Sequence, residues 1–508
     1  MASRDILLVF PKTGFDVGGA IAPPHSLLTI SAPLVNEGYN IKIIDQRVDP
    51  DWQKDIRTEL KKNPLCVGLC SMSGTQIKFA LAATRIVKEY SEEMPVIWGG
   101  THPTILPVQT LEHPLIDFVV EGEGEETFYE LIKAIENETG FEHINGLHWK
   151  DKEGNIHSNP QRQLMNIEGL YPTPWQLINP RDYIYRDFYM RDVSRTMDIG
   201  QTSRGCPFTC TYCASAHIRQ IWRPMSTMKA AEKIINDVHD FNLDSIWIRD
   251  DNFYANLKRS KEICDELIKE KVDIKWYASG SRADSIMRMT PEQITTFKKA
   301  GAEVFKIGAE SGSDRILKFV DKKSTVMNTL LANKKATKYD IIPAFSFMGG
   351  FPTETPNELM ETINCMIKVR KDSHLAQVES LCIFTPYPGT PIYQVAIDYG
   401  LKPPQDLESW SDWGFHDSND ARNPWLTPER RDQLENICYI SSLASIVNNL
   451  SGSINNPLKR TLLKSISYPL SKYYQFRFDH KIFNSMPERN FLRFIRRNIF
   501  DTVKVKEQ

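Results

Sequence analysis

From Asp5 to about Glu138 short apolar runs alternate with stretches of helical spacing. DILLVF, NIKIIDQ, LCVGLC, MPVIWGG and IDFVVEGEGE read as five strands, and 24–38, 76–91 and 125–138 space their apolar residues as amphipathic helices do. That alternation predicts an α/β unit, a parallel sheet covered on both faces. The rhythm breaks between about 139 and 196, where HWKDKEGNIHSN resembles a hairpin and YPTPWQLINPRDY is rich in proline and aromatics; we read this stretch as a linker. From Met197 a second alternation runs through TMDIGQTSRGC, DSIWIRDDNF, IKWYASGSR, AEVFKIGAESG, IPAFSFMGGFP and VESLCIFTPYPGTP. Six strand–helix units fall short of closure at eight, so they predict an open, partial barrel whose chemistry sits at the C-terminal strand ends. After about Leu401 the pattern turns helical and irregular. The reading is therefore 1–138 doubly wound sheet, 139–196 linker, 197–400 partial barrel and 401–508 helical region.

A chain of 508 residues leaves room for these several units. A net charge of −2 supplies no basic field of the kind that draws nucleic acid, so no nucleic-acid partner is expected. The opening MASRDILLVFPKTG has an apolar run too short for a membrane span and lacks a signal-peptide layout, which predicts a cytoplasmic protein. Nine cysteines form an odd, sparse set, unlike a secreted disulfide framework. Cys66, Cys70, Cys264, Cys365, Cys382 and Cys438 are scattered and read as small buried thiols. The last fifty residues carry Lys459, Arg460, Lys464, Lys472, Arg477, Arg489, Arg493, Arg496 and Arg497 among aromatics. These make either a solvated helical cap or a surface that meets a membrane or an acidic or lipid-like substrate.

Cys206, Cys210 and Cys213 differ from the other six because they are crowded into Arg204-Gly205-Cys206-Pro207-Phe208-Thr209-Cys210-Thr211-Tyr212-Cys213, directly after an apolar strand. A Cys-x3-Cys-x2-Cys loop can wrap three thiolates around one cubic iron–sulfur cluster. Such clusters usually take four thiolates, so one iron is left open for a ligand. The alternative is a zinc site with His217 as a further ligand.

With the aromatic Tyr212 just before its third cysteine, the triplet resembles that of the radical S-adenosylmethionine enzymes. The resemblance implies a 4Fe-4S cluster on Cys206, Cys210 and Cys213, with S-adenosylmethionine chelating the open iron and being cleaved reductively to a 5′-deoxyadenosyl radical. It extends along the strand ends. Arg249-Asp250-Asp251-Asn252-Phe253 ends the second barrel strand, where the family binds the amino group of S-adenosylmethionine. Ser281-Arg282 ends the third, a position suited to its carboxylate, and Gly308-Ala309-Glu310-Ser311-Gly312 ends the fourth, near the ribose. Pro386-Tyr387-Pro388-Gly389-Thr390-Pro391 ends the last, beside the expected adenine. The competing readings are a surface ion pair for Arg282, a helix cap for Asp250 or Asp251 and a structural role for Glu310.

The ends of the first sheet's strands carry Ser71-Met72-Ser73-Gly74-Thr75, Gly99-Gly100-Thr101-His102-Pro103-Thr104 and Glu121-Gly122-Glu123-Gly124-Glu125. A doubly wound sheet binds ligands there, and the absence of Gly-x-Gly-x-x-Gly after the first strand counts against a dinucleotide. This arrangement resembles the Rossmann-like cobalamin-binding domain that precedes the partial (β/α)6 TIM-like barrel in many radical S-adenosylmethionine enzymes. It implies contacts from Ser71, Ser73, Gly74, Gly99, Gly100, His102, Glu121 and Gly122. No Asp-x-His-x-x-Gly occurs, so the usual axial histidine is missing. His102 either touches the ligand's edge or is a packed loop histidine, and the domain is alternatively a docking module without cobalamin.

Together the two resemblances imply a cobalamin-dependent radical S-adenosylmethionine methyltransferase that takes hydrogen from an unactivated carbon and adds a methyl group from methylcobalamin. The rival readings are oxidative cyclisation or ring rearrangement without methyl transfer, and a non-catalytic iron–sulfur module. The expected partners are a small-molecule or lipid-like substrate and an electron donor such as flavodoxin or ferredoxin. Trp410, Trp413 and Trp425 are expected either to line an apolar site or to pack in a core.

Overall fold

The computed structural model describes residues 4–14, 21–218, 221–413, 422–445 and 457–489. Arg493, Arg496 and Arg497, and the side chains of His217, Lys459, Arg460 and Lys464, lie outside the described set.

Seven strands form the first sheet: β1 (Asp5–Phe10), β2 (Asn40–Asp45), β3 (Val67–Cys70), β4 (Val96–Gly99), β5 (Phe118–Val120), β6 (Leu147–Lys150) and β7 (Ile156–Ser158). Their order is β2-β1-β3-β4-β5-β6-β7, parallel through β5 and antiparallel thereafter. The five expected strands are all present. The hairpin read inside 139–196 is also present, but as β6 and β7 it continues the sheet, because Phe118, Val119 and Val120 offer β6 a free edge to pair with. β1 and β3 carry apolar residues almost continuously, as strands covered on both faces must. Between β1 and β3 the order reverses, which opens the crevice at their carboxyl ends.

The second sheet has six parallel strands, β8 (Thr196–Asp198), β11 (Ser245–Ile248), β12 (Lys275–Ser281), β13 (Ala302–Glu310), β14 (Ile342–Gly349) and β15 (Gln377–Ile383), in the order β15-β14-β13-β12-β11-β8. It curls into half a barrel. Between β8 and β11 a short ribbon pairs β9 (Ser203–Arg204) with β10 (Arg223–Pro224). The register slips between Ala278 and Ser281 in β12 and between Gly308 and Glu310 in β13. Such bulges re-aim side chains at strand ends, here at the cluster loop's side of the barrel.

An open barrel leaves two edges, and both are covered. On β15 the Leu381 amide donates to Ser441 Oγ (3.0 Å) and Ser445 Oγ donates to the Val378 carbonyl (3.1 Å), both hydroxyls coming from the end of helix Pro428–Ala444. On β8 Tyr185 and Thr196 exchange two backbone bonds of 2.9 and 2.8 Å. The chain after Leu401 then returns to the first sheet: Trp410 and Trp413 are buried in the same apolar cluster as Leu69 and Trp98. They pack as core, with indole donors on Gln109 Oε1 (2.7 Å) and the Pro386 carbonyl (2.8 Å). Trp425 donates to the Gly350 carbonyl at 2.9 Å.

Candidate active site

The cysteine loop starts where β9 ends. Gly205, at φ +80°, turns the chain in the left-handed region that glycine enters without cost, and its amide donates to Asp251 Oδ2 at 2.9 Å. Further along, the Thr211 amide donates to the Val320 carbonyl (3.0 Å) and the Thr211 carbonyl accepts from Ile392 (3.2 Å). The loop is thus fastened to the segments that follow the second, fourth and sixth strands. Burial raises the Cys206 thiol, and it pushes Cys213 up to about 11; each is raised further by Cys210. Thiols crowded in this way are a set that a cationic cluster can bind by taking the place of their protons.

Around the sulfurs lie two donors. Arg282 Nη1 donates to Cys210 Sγ at 3.5 Å, and Asn252 Nδ2 stands 3.8 Å from Cys206 Sγ. Arg282 is buried, lies over the Phe208 ring at 3.7 Å and also donates to Asp284 and the Lys322 carbonyl. It is therefore not a surface ion pair. Among the described residues, three buried polar atoms beside the loop have no hydrogen-bond partner: Asn252 Oδ1, Ser281 Oγ and Thr211 Oγ1. Orphans of this kind are costly unless a ligand satisfies them, and an amino acid moiety such as that of S-adenosylmethionine has the groups to do so.

Asp250 serves differently from the sequence reading. It is fully buried and accepts from the Thr202 and Ser203 amides (2.5 and 3.0 Å) and from both hydroxyls (2.8 and 2.5 Å). Its oxygens are thereby spent on fixing the strand that leads into the cysteine loop, while burial raises its pKa. Ser311 is engaged with Thr362 Oγ1 (3.0 Å) and the Ser313 amide (3.1 Å). Glu310 holds φ +62° and meets Lys322 Nζ at 2.7 Å, and the same ammonium donates to the Tyr212 hydroxyl at 3.2 Å. Lys322 is buried and was not singled out from the sequence, where nothing distinguishes it from its exposed neighbour Lys323.

A cavity of about 1060 Å³ lies between the two sheets. Ser71, Gly99, Gly100 and Gly122 form part of one wall, and Ala214 and Ser215, immediately after Cys213, part of the opposite one. The volume lies at the upper end of the usual range for ligand sites, as a corrin-sized ligand requires. At Gly122 a Cβ would meet no atom of the described residues within 4 Å, so the wall there has room for a large ligand. Ser73, Gly74, His102 and Glu121 are not in the lining. Ser73 Oγ bonds His102 Nδ1 (2.9 Å), the Gly74 amide donates to the Trp410 carbonyl (3.0 Å) and Glu121 pairs with His148 Nε2 (2.9 Å). His102 is a packed histidine, its ring edge-on to Trp410 at 5.5 Å.

The acidic run after β5 lines the space through Gly122, Glu123, Gly124 and Glu125 and also ties its two walls together. Glu123 pairs with Arg223 and Glu125 with Arg204, each at 2.6 Å, tying the first domain to the β9–β10 ribbon. His25 and Arg249, both in the cavity lining, meet on the buried Asp198 at 3.1 and 2.6 Å. Although burial opposes it, Arg249 and His25 hold the Asp198 carboxyl below the usual carboxylate range.

Two family descriptions match the chain. Residues 201–366 match the Radical SAM superfamily and residues 12–132 match the B12 binding domain. An uncharacterized methyltransferase of Pyrococcus horikoshii is 33% identical over 79% of this chain and 85% of its own length. An anaerobic magnesium-protoporphyrin IX monomethyl ester cyclase of Synechocystis is 26% identical over 76% of this chain and 75% of its own. Among solved structures, the cobalamin-dependent S-adenosylmethionine radical enzyme OxsB, with aqua-cobalamin and S-adenosylmethionine bound, superimposes with a TM-score of 0.74. It is 20% identical, covering 97% of this chain and 75% of that one, and shares the fold.

Proposed function

The chain belongs to the radical S-adenosylmethionine superfamily and carries a B12 binding domain ahead of the radical domain, and from that premise we propose that it is a cobalamin-dependent methyltransferase acting on an unactivated carbon. The observation that carries this reading is the single cavity of about 1060 Å³ shared by the glycine wall of the first sheet and the segment just after Cys213. A substrate carbon in that space lies within reach of both cofactors, which is the proximity a radical capture step needs.

When bound, the cluster with S-adenosylmethionine supplies a hydrogen-abstracting radical and cobalamin supplies the methyl group. The chain's own residues position and shield. Cys206, Cys210 and Cys213 hold the cluster; Ser281, Arg282 and Asn252 offer polar groups to the amino acid moiety of S-adenosylmethionine; Lys322 fixes Glu310 toward the ribose. Ser71, Gly99, Gly100 and Gly122 receive cobalamin. Glu123, Glu125, Arg204 and Arg223 keep the two domains closed and water out. No general base is required.

Nine free thiols suit a reducing compartment, and we place the enzyme in the cytoplasm with a small-molecule substrate and a protein electron donor. Among the described residues no helix is long and apolar enough to cross a membrane. The cyclase relative favours a second reading, oxidative cyclisation on the same cofactors. Anaerobic reconstitution with iron, sulfide and cobalamin separates the two. Methyl transfer yields both 5′-deoxyadenosine and S-adenosylhomocysteine; cyclisation yields only the first. Cys210→Ala should abolish the cluster absorbance and all deoxyadenosine, and persistence of either rejects the site.

A further inference from the structure

We propose that the outward face of the C-terminal helix Pro457–Asp479 is a docking surface for an anionic lipid bilayer. The helix has two opposed faces. Ser467, Tyr474 and Phe478 are buried, and Ser471 Oγ donates to the Ala444 carbonyl at 2.6 Å, so one side is seated on helix Pro428–Ala444. Half a turn away, Leu458, Leu462, Tyr473 and Phe476 are 81, 65, 55 and 54% exposed. At about 100° per residue these four fall within about 60° of one another, two before and two after Pro469, and the exposed Tyr468 and Leu470 flank them on either side. Large exposed apolar side chains normally occur singly, and several on one side of one helix mark a surface that something covers.

Charge decides what covers it. Between 457 and 481 the sequence carries Lys459, Arg460, Lys464, Lys472, Arg477 and Lys481 against one acid, Asp479, which is already paired with Arg370; Lys472 and Lys481 are exposed, whereas Arg477 is buried and paired with Glu488. A second copy of the same face would bring like charges together. The chain's own residues 490–508 also carry more basic than acidic side chains, which disfavours them as the cover. An anionic bilayer matches both features: it accepts leucine and aromatic side chains at its boundary, and each nearby Lys or Arg strengthens the attraction. A helix of 23 residues, roughly 34 Å long, would lie in the plane of the interface.

The test is co-sedimentation of the full-length, cluster-loaded protein with vesicles of phosphatidylcholine alone or mixed with phosphatidylglycerol. Binding to the mixed vesicles, weakened by salt and reduced about tenfold or more in Leu462→Glu/Phe476→Glu with its cluster spectrum intact, is expected. If that variant fails to fold, Lys472→Glu/Lys481→Glu is expected to lose binding to the anionic vesicles. No binding, equal binding to both vesicle types, unaltered binding in a folded variant, or a concentration-dependent dimer that the substitutions dissolve overturns the proposal. None of these outcomes depends on turnover, so they are independent of the methyl-transfer reading.

Discussion

Arg282 donates from Nη1 to the Cys210 sulfur across 3.5 Å, so a buried cation faces one of the three thiolates that would carry the cluster. A charge-assisted bond of this kind contributes about 1.5–3 kcal/mol, and it favours the reduced, more negative cluster. Replacing the charge while keeping the polar reach, as in Arg282→Gln, should leave the cluster spectrum in place and slow deoxyadenosine formation by about tenfold to a hundredfold, the same energy expressed as a rate. An unchanged rate with an intact spectrum would remove Arg282 from the machinery.

Lys322 and Glu310 form a buried pair at 2.7 Å, with the glutamate backbone held at φ +62°. Removing one member of such a pair leaves an uncompensated charge and costs about 3–5 kcal/mol. Lys322→Met should therefore lower the denaturation midpoint and raise the concentration of S-adenosylmethionine needed for half-maximal cleavage. Adding Glu310→Gln should restore much of the stability without restoring the affinity. Recovery of both would show that Glu310 does not reach the nucleoside.

At Gly100 the backbone stands at φ +96°, and a Cβ would come within 2.8 Å of the Ser71 carbonyl oxygen. Gly100→Ala should cost about 1–3 kcal/mol of stability from strain alone and distort the cavity wall. Cobalamin retained after gel filtration, read from its visible spectrum, should fall more steeply than in Gly38→Ala, at φ +83° with nothing within 4 Å of its Cβ. Equal retention in the two variants would mean that the glycine wall does not hold the corrin.

The strand pattern was legible because most strands of both sheets, such as β1, β3, β4 and β5, are short apolar runs, and the cysteine loop because its spacing is local. What the sequence hid is what depends on distant pairing. Nothing near Lys322 tells it from Lys323; only the fold buries the first. The acidic run 121–125 reads as a ligand loop, but the partners that claim Glu123 and Glu125 arrive from Arg223 and Arg204, 100 and 79 residues away. His102 lies in a glycine-rich strand end of the kind that binds ligands, and it is turned inward because Trp410, three hundred residues on, folds back over it. The histidine that does reach the cavity, His25, sits at the start of a helix whose sequence gives no sign of Asp198.

His102 also makes the pH dependence calculable in sign. Burial pushes its pKa down to about 4, against about 6.5 in an unfolded chain. Above pH 6.5 both states are neutral there and the residue contributes nothing. As pH falls below 6.5 the unfolded chain takes up a proton that the folded ring refuses, so the native state loses stability until the pH reaches about 4. At pH 5 the loss from this one group is about 2 kcal/mol. The urea midpoint of the intact protein should therefore drop between pH 7 and pH 5 by more than that of His102→Gln, in which the titrating ring is gone while every other group is unchanged. Parallel drops in the two proteins would mean that the ring is protonated in the native state, and hence that the Ser73–His102–Trp410 packing opens to water.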